Sequence, residues 1–290
     1  MLRVGAHVSI ADGYPEAVER EVELGGNCGQ VFVGSPRGWA VSDVDDAEAD
    51  AFREATADRD VGPWIVHGTY LVNLATPKDD LAAKSLDCLQ AELDAAAALD
   101  IPYYVFHPGA HTGAGEDTGI ENVGDRLSDL DVPSDVTLLL ENTAGKGTTV
   151  GRRLDDLDRM VRASAHDYDA LGVCLDTCHL FAAGYDFTDA DAMDDLVDEI
   201  DDTVGVENVH YLHLNDSKHP LGSEKDEHEH IGEGEIGAAG FRQFVNHDAL
   251  REKPMVLETP EDEKGYAWNI DRVRDLYESD EAADGNYPPQ

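Results

Sequence analysis

Eight short, nearly continuous apolar runs recur along this chain: Val4–Val8, Gln30–Val33, Trp64–Val66, Tyr103–Phe106, Val136–Leu140, Gly172–Leu175, Val209–Leu214 and Met255–Leu257. Runs of this kind, rich in β-branched and aromatic residues without polar alternation, mark strands buried on both faces of a parallel sheet. The segments between them are amphipathic. Leu86, Leu89 and Leu93 repeat at helical spacing, as do Met193, Leu196 or Val197, Ile200 and Val204, with acids opposite. Gly25-Gly26, Gly62-Pro63, Pro102, Pro133, Gly172 and Lys253-Pro254 punctuate the joins. Eight β-then-α units without a break in composition predict an α/β fold, a single (β/α)8 TIM barrel. Residues 1–278 are expected to form one catalytic domain and 279–290 an acidic tail. A doubly wound open sheet would show a Gly-rich phosphate turn after an early strand, and neither GxGxxG nor a P-loop stands there.

A barrel of this type places its chemistry at the C-terminal ends of the strands. Read in order, those ends are His7, nothing evident after the second run, then His67, His107, Glu141, Asp176, His213 and Glu258. For any one of them, a core histidine or a carboxylate bonded to backbone is the ordinary explanation. Six in succession, all opening into one mouth, would pack polar and negative groups at a cost that cations remove. His210–Gly232 (HYLHLNDSKHPLGSEKDEHEHIG) adds Asp226 and His228, two apart and on one face of an extended backbone. DTCH adds His179, three residues after Asp176. The mixed carboxylate and imidazole set suits zinc, manganese or iron better than calcium or magnesium. Nine candidate ligands (His67, His107, Glu141, Asp176, His179, His213, Asp226, His228, Glu258) fit two or three ions, since one zinc takes three or four. Clustered metals suit phosphate-ester hydrolysis, because they activate water and hold phosphoryl oxygens without a separate base. No GxSxG elbow offers a serine nucleophile.

Charge and cysteines narrow the setting. Sixty-two acids against 21 Lys and Arg give a net charge of −41, spread over every expected helix. Such self-repulsion destabilises a compact state at low salt, and at molar salt the Debye length of roughly 3 Å removes most of it. The composition therefore reads as adaptation to a salt-filled cytoplasm, as in halophilic archaea. A refolding yield that rises as salt is removed would contradict this reading. No window approaches a membrane span, and MLRVGAHVSI reads as a first strand rather than a signal peptide, so a cytoplasmic protein is expected. Cys28, Cys88, Cys174 and Cys178 are expected to be reduced, buried thiols.

At this point the motifs resemble the endonuclease IV family, the zinc-dependent apurinic/apyrimidinic endonucleases of base-excision repair. The resemblance runs from GAHVS (Gly5–Ser9) to LETP (Leu257–Pro260). It is most specific in GVCLDTCH (Gly172–His179) and in HLNDSK followed by GSxxDxHxxIGxGxIG (His213–Gly237), with HPG (His107–Gly109) and ENTAG (Glu141–Gly145) in support. It implies three zinc ions per chain, with manganese an alternative occupant of one site. His67, His107 and Glu141 would hold the first, and Glu141 would bridge to a second completed by Asp176, His213 and Glu258. His179, Asp226 and His228 would hold the third. It implies incision 5′ to an abasic site in double-stranded DNA, leaving a 3′-hydroxyl and a 5′-deoxyribose phosphate. A metal-bridging hydroxide positioned by Glu141 would be the nucleophile. Arg37, Tyr70 and Leu71 would enter the duplex; beside the resemblance, His7 is read as supporting ligands from behind, and Asp216 as doing the same or shaping the loop. A monomer without a protein partner is expected. Glu227 departs from the family, in which a basic residue often separates the Asp and His of DxH. The competing reading is a sugar isomerase or epimerase of the xylose isomerase-like kind, which uses one or two divalent ions and has no need of a third set of ligands. A metal-storage or non-catalytic DNA-binding protein is a weaker third. Basic residues near the mouth (Arg37, Lys146, Arg152, Arg153, Lys218, Lys225) are expected to form a less acidic rim.

Overall fold

The structure is a computed structural model that describes residues 2–41 and 43–277. Its strands are β1 (Val4–His7), β2 (Gly29–Val31), β3 (Trp64–His67), β4 (Tyr103–Phe106), β5 (Thr137–Glu141), β6 (Leu171–Asp176), β7 (Val209–His213), β8 (Asp216–Ser217), β9 (His228–Glu229) and β10 (Met255–Leu257). Eight of them close into a parallel barrel in the order β1-β10-β7-β6-β5-β4-β3-β2, so the α/β barrel read from the apolar runs is the fold observed. The remaining two, β8 and β9, form a two-stranded antiparallel hairpin in the loop after β7. No apolar run announced that hairpin, because each of its strands is only two residues long. The acidic tail expected at 279–290 lies outside the described residues.

Helices α1 (Tyr14–Leu24), α2 (Asp46–Arg59), α3 (Asp79–Ala98), α4 (Glu116–Leu127), α5 (Leu154–Ala163), α6 (Thr177–Ala183), α7 (Ala190–Thr203), α8 (Gly237–Asn246) and α9 (Gly265–Leu276) alternate with the strands. Each buries one stripe against the barrel and leaves most of its acids outside, Glu21, Glu92, Asp156 and Asp158 being buried exceptions. In α5, for example, Leu154, Leu157, Met160 and Val161 are buried. Asp residues start two of the most acidic helices: Asp45 accepts the Glu48 N–H ahead of α2, and Asp189 the Ala192 N–H ahead of α7. Part of the acid load thus satisfies backbone donors at helix starts.

Inside the barrel the strand period of two sorts side chains into layers. Cys28, Ile65, Val105, Leu139, Cys174, Tyr211 and Val256 form an apolar plug of wholly buried residues. Two positions further along each chain segment stand Gln30, His67, His107, Glu141, Asp176, His213 and Glu258, and β1 contributes His7. Apolar residues therefore close the barrel beneath a ring of polar groups. All four cysteines are free and buried, as expected. Among the described residues, no helix is long and apolar enough to cross a membrane.

Candidate metal centre

Glu141 is the hub of the polar ring. It ends β5, is entirely buried, and points its two carboxylate oxygens in different directions. Oε2 lies 3.1 Å from His107 Nε2 and 3.4 Å from His67 Nε2, whereas Oε1 lies 3.2 Å from His213 Nδ1 and 3.3 Å from His179 Nδ1. Donor atoms of His67, His107 and Glu141 all fall within 4.8 Å of one another, as do those of Glu141, Asp176, His213 and Glu258, and those of His179, Asp226 and His228. The nine candidate ligands are thus brought together as three clusters, two of which share Glu141.

Local structure explains how each arrives. Asp176 ends β6 and caps α6, its Oδ1 accepting the His179 N–H at 2.8 Å, so one carboxylate turns the chain and sets His179 at the mouth. The Asn215 amide donates to Asp176 Oδ2 at 2.6 Å, and Asn142 Oδ1 accepts the Asp176 N–H at 2.7 Å. Asp226 and His228 ride on the long loop after β7, which Asp216 pins. Its carboxylate accepts N–H groups from Ser217, Gly232, Gly234, Ile236 and Gly237. A Cβ on Gly234 would sit 2.6 Å from Asp216 Oδ1, so only glycine lets this loop close on that carboxylate. Asp216 supports the loop's backbone, while His7 lies 3.5 Å from Glu258 and packs its ring against Phe32 at a tilt, the centroids 4.3 Å apart. In HPG, Gly109 holds φ +106, where a Cβ would lie 2.3 Å from Asn73 Oδ1.

The donor set fits a transition metal. His67 Nδ1 lies 2.7 Å from the Gly68 carbonyl, His179 Nδ1 2.9 Å from the Asn142 carbonyl, and His228 Nδ1 3.0 Å from the Glu258 carbonyl. A carbonyl only accepts, so each Nδ1 carries the hydrogen and each Nε2 presents a lone pair, the usual way a ligating imidazole is oriented. His67 Nε2, His228 Nε2 and Glu141 Oε2 are buried without a well-aligned hydrogen bond, although imidazole and carboxylate groups of the clusters stand close to one another, and these are the atoms that face the clusters. Buried polar atoms left this way cost free energy that coordination recovers.

Electrostatics agree. Burial pushes Glu141 up, but the charges of His107 and His213 and the His107 and His179 hydrogen bonds outweigh it and hold the carboxyl well below its ordinary value. Glu258 behaves in the same way, burial being overcome by His213, His7 and His67. Burial pulls His179 down, yet Asp176, Asp226 and Glu141 hold it well above the ordinary histidine value. His228 is lifted to about 9, the Asp226 hydrogen bond overriding burial. Protons on these imidazoles supply the positive charge that the carboxylates demand, which is the role a cation would take. A fourth grouping, of Asp176, Cys178 and His228, overlaps these clusters, but burial pushes the Cys178 thiol up to about 12 and keeps its proton on.

The residues expected at a DNA interface lie around this mouth. Tyr70 is 53% exposed, with its ring 5.5 Å from His67 and 6.2 Å from His107, and its N–H donates to the Pro36 carbonyl at 3.1 Å. That bond ties the Tyr70–Leu71 loop to the loop carrying exposed Arg37. A cavity of about 90 Å³ opens between His107, His179, Asp226, Thr149 and Lys146. Of the expected basic rim, Lys146 faces this cavity, whereas Arg152 pairs with Glu224 and Arg153 with Asp156 and Glu116. Glu227 pairs with His219. Sequence reading passed over Gln30, which the structure places inside the ring, 2.7 Å from His213. The period of two from Cys28 was the signal that could have found it.

Comparison with known proteins follows the same line. The family described as Xylose isomerase-like TIM barrel matches residues 18–276. The chain is 55% identical over 276 residues to "Probable endonuclease 4" of Halobacterium salinarum, covering 95% of this chain and 99% of that protein. Endonuclease IV from Thermus thermophilus superposes with a TM-score of 0.83 at 38% identity, covering 94% of this chain and 98% of that one. A D-tagatose 3-epimerase-like protein superposes with a TM-score of 0.71 at 17% identity over 94% and 96% of the two chains, which shows a shared barrel and no more. With whole-length relatives at this identity, the chain belongs to the endonuclease IV family.

Proposed function

We propose that this protein is a DNA-repair endonuclease that hydrolyses the phosphodiester 5′ to an abasic site in duplex DNA, leaving a 3′-hydroxyl and a 5′-deoxyribose phosphate. The single observation that carries the reading is the sharing of Glu141 between two donor clusters, with a third cluster beside them. Three zinc ions would occupy them, one held by His67, His107 and Glu141, one by Glu141, Asp176, His213 and Glu258, and one by His179, Asp226 and His228. Zinc so bound supplies Lewis acidity, lowering the pKa of water and offsetting charge that builds on the phosphoryl oxygens.

The chain's own residues do the rest. Glu141 directs its two oxygens into neighbouring clusters, so one buried carboxylate would help hold two ions, which would activate water and offset the phosphate's charge. An abasic nucleotide has already lost pairing and stacking and costs little to extrude. Exposed Tyr70, with Leu71 and Arg37 on the loop bonded to it, would fill the gap in the duplex. Lys146, at the cavity beside His107 and His179, would meet a backbone phosphate. Glu227 would make no such contact, since its carboxylate is engaged by His219. At high salt, Lys and Arg contacts to phosphate contribute little, and contacts within the mouth carry the affinity. We place residues 1–278 in one catalytic domain that works as a cytoplasmic monomer.

An epimerase reading accounts for the barrel and for one or two ions. It leaves His179, Asp226 and His228 without a purpose. Metal content per chain, measured together with nicking of a duplex carrying one abasic site, separates the two. Near three zincs with 5′ incision is expected. One metal, no nicking and turnover of a ketose would overturn the proposal.

A further inference from the structure

Of the five histidines in the clusters, His213 is oriented by a side-chain amide. It is wholly buried, and both ring nitrogens are engaged. Nδ1 faces Glu141 Oε1 at 3.2 Å and Glu258 Oε2 at 3.7 Å, while Nε2 lies 2.7 Å from Gln30 Oε1. The Gln30 Nε2 lies 2.6 Å from Glu258 Oε1 and 2.8 Å from His7 Nδ1. Gln30 is itself fully buried.

Chemistry fixes the direction of this network. Reversing the amide would set its carbonyl oxygen against a carboxylate oxygen at 2.6 Å, two acceptors with no hydrogen between them. The amide nitrogen must therefore face Glu258, and its two hydrogens serve Glu258 and His7. The amide oxygen must face His213 and can only accept. His213 Nε2 then carries the ring hydrogen, and the lone pair stays on Nδ1, the atom that faces Glu141 and Glu258. One neutral side chain thus selects a tautomer and occupies one oxygen of the neighbouring carboxylate, leaving Glu258 Oε2 toward the cluster.

We infer that Gln30 is a positioning residue for the cluster of Glu141, Asp176, His213 and Glu258: it makes Nδ1 the ligating atom of His213 and holds Glu258 so that Oε2 ligates. The inference rests on the reading above that metal fills this cluster. It sets Gln30 apart from a packing residue, which any side chain of similar shape could replace.

Gln30→Met keeps the shape and removes both hydrogen-bonding functions. Zinc-loaded wild type and variant are titrated with a chelator, and the fastest-lost metal is followed per chain. Removing a hydrogen-bonding partner of a metal ligand weakens retention by roughly 10–100-fold, and the expected result is a loss of that size for the fastest-lost ion, the ion held by His179, Asp226 and His228, which do not share Glu141, being retained as in the wild type. Nitrogen-15 spectra of the zinc-loaded wild type should show His213 with hydrogen on Nε2 and metal on Nδ1. A chelator curve unchanged in Gln30→Met, or metal on Nε2 of His213, overturns the inference while leaving the endonuclease reading intact. Should Gln30→Met fail to fold, the wild-type spectrum decides by itself. A wild-type protein that takes up no zinc overturns both.

Discussion

Two glutamates of this protein are equally hidden from solvent, yet their surroundings shift their proton affinities in opposite directions. Glu21, on α1, is fully buried and accepts the Ala6 N–H through its oxygens at 3.1 and 3.3 Å. A Cβ on Gly5 would lie 2.6 Å from Glu21 Oε1, so the carboxyl occupies the space where β1 lacks a side chain. Burial, only partly offset by that bond and by Arg274, holds Glu21 well above its ordinary value. Glu141 pays the same desolvation cost, but imidazoles crowd both of its oxygens and it is held well below. Burial sets the penalty; what faces the lone pairs decides whether the charge survives. Glu92, under β3 and β4, sides with Glu21: burial raises it despite bonds from Tyr104 and Thr69.

The comparison can be broken by removing the charge from each. Glu141→Gln keeps the shape but loses the charge that two clusters share, and nicking of abasic duplex should fall on the order of 10³-fold, the several kcal/mol of metal-borne charge stabilisation. Zinc content should fall with it while the fold persists by circular dichroism. Incision at the wild-type rate would show that Glu141, like Glu21, does no work as an anion. The effect at Glu21 is smaller and opposite in sense. Its folded pKa is raised above 4.5, so between 4.5 and that raised value the folded chain binds more protons than the unfolded one, and stability falls as pH rises through the window. Glu21→Gln mimics the protonated form. In denaturant titrations at fixed salt it should match the wild type below pH 4.5 and exceed it in stability at neutral pH. A variant weaker than the wild type at neutral pH would mean that the buried carboxylate is charged and well paired.

Much of this was legible in the sequence, for reasons that differ by residue. Parallel strands buried on both faces leave apolar runs, so the barrel could be read from Val4–Val8 onward. The ligands could be read because strands end where the mouth begins, and His67, Glu141, Asp176 and His213 are the last residues of their strands. Gln30, Asn142 and Asn215 escaped notice because a neutral amide looks the same whether it faces water or orients a ligand. Glu21 and Glu92 escaped for another reason: in a chain with 62 acids, an acid on a helix reads as solvated surface. The burial of Glu21 depends on Gly5 and Gly26, and that of Glu92 on Tyr104, none of which lies on the same helix.

The divided carboxylate of Glu141 has a consequence for how the centre fills. If metal fills both clusters as proposed, one buried carboxylate would serve two ions, so the occupancy of one cluster would bear on the affinity of the other. A metal titration of these two clusters would then depart from independent binding, whereas the cluster of His179, Asp226 and His228 would fill on its own.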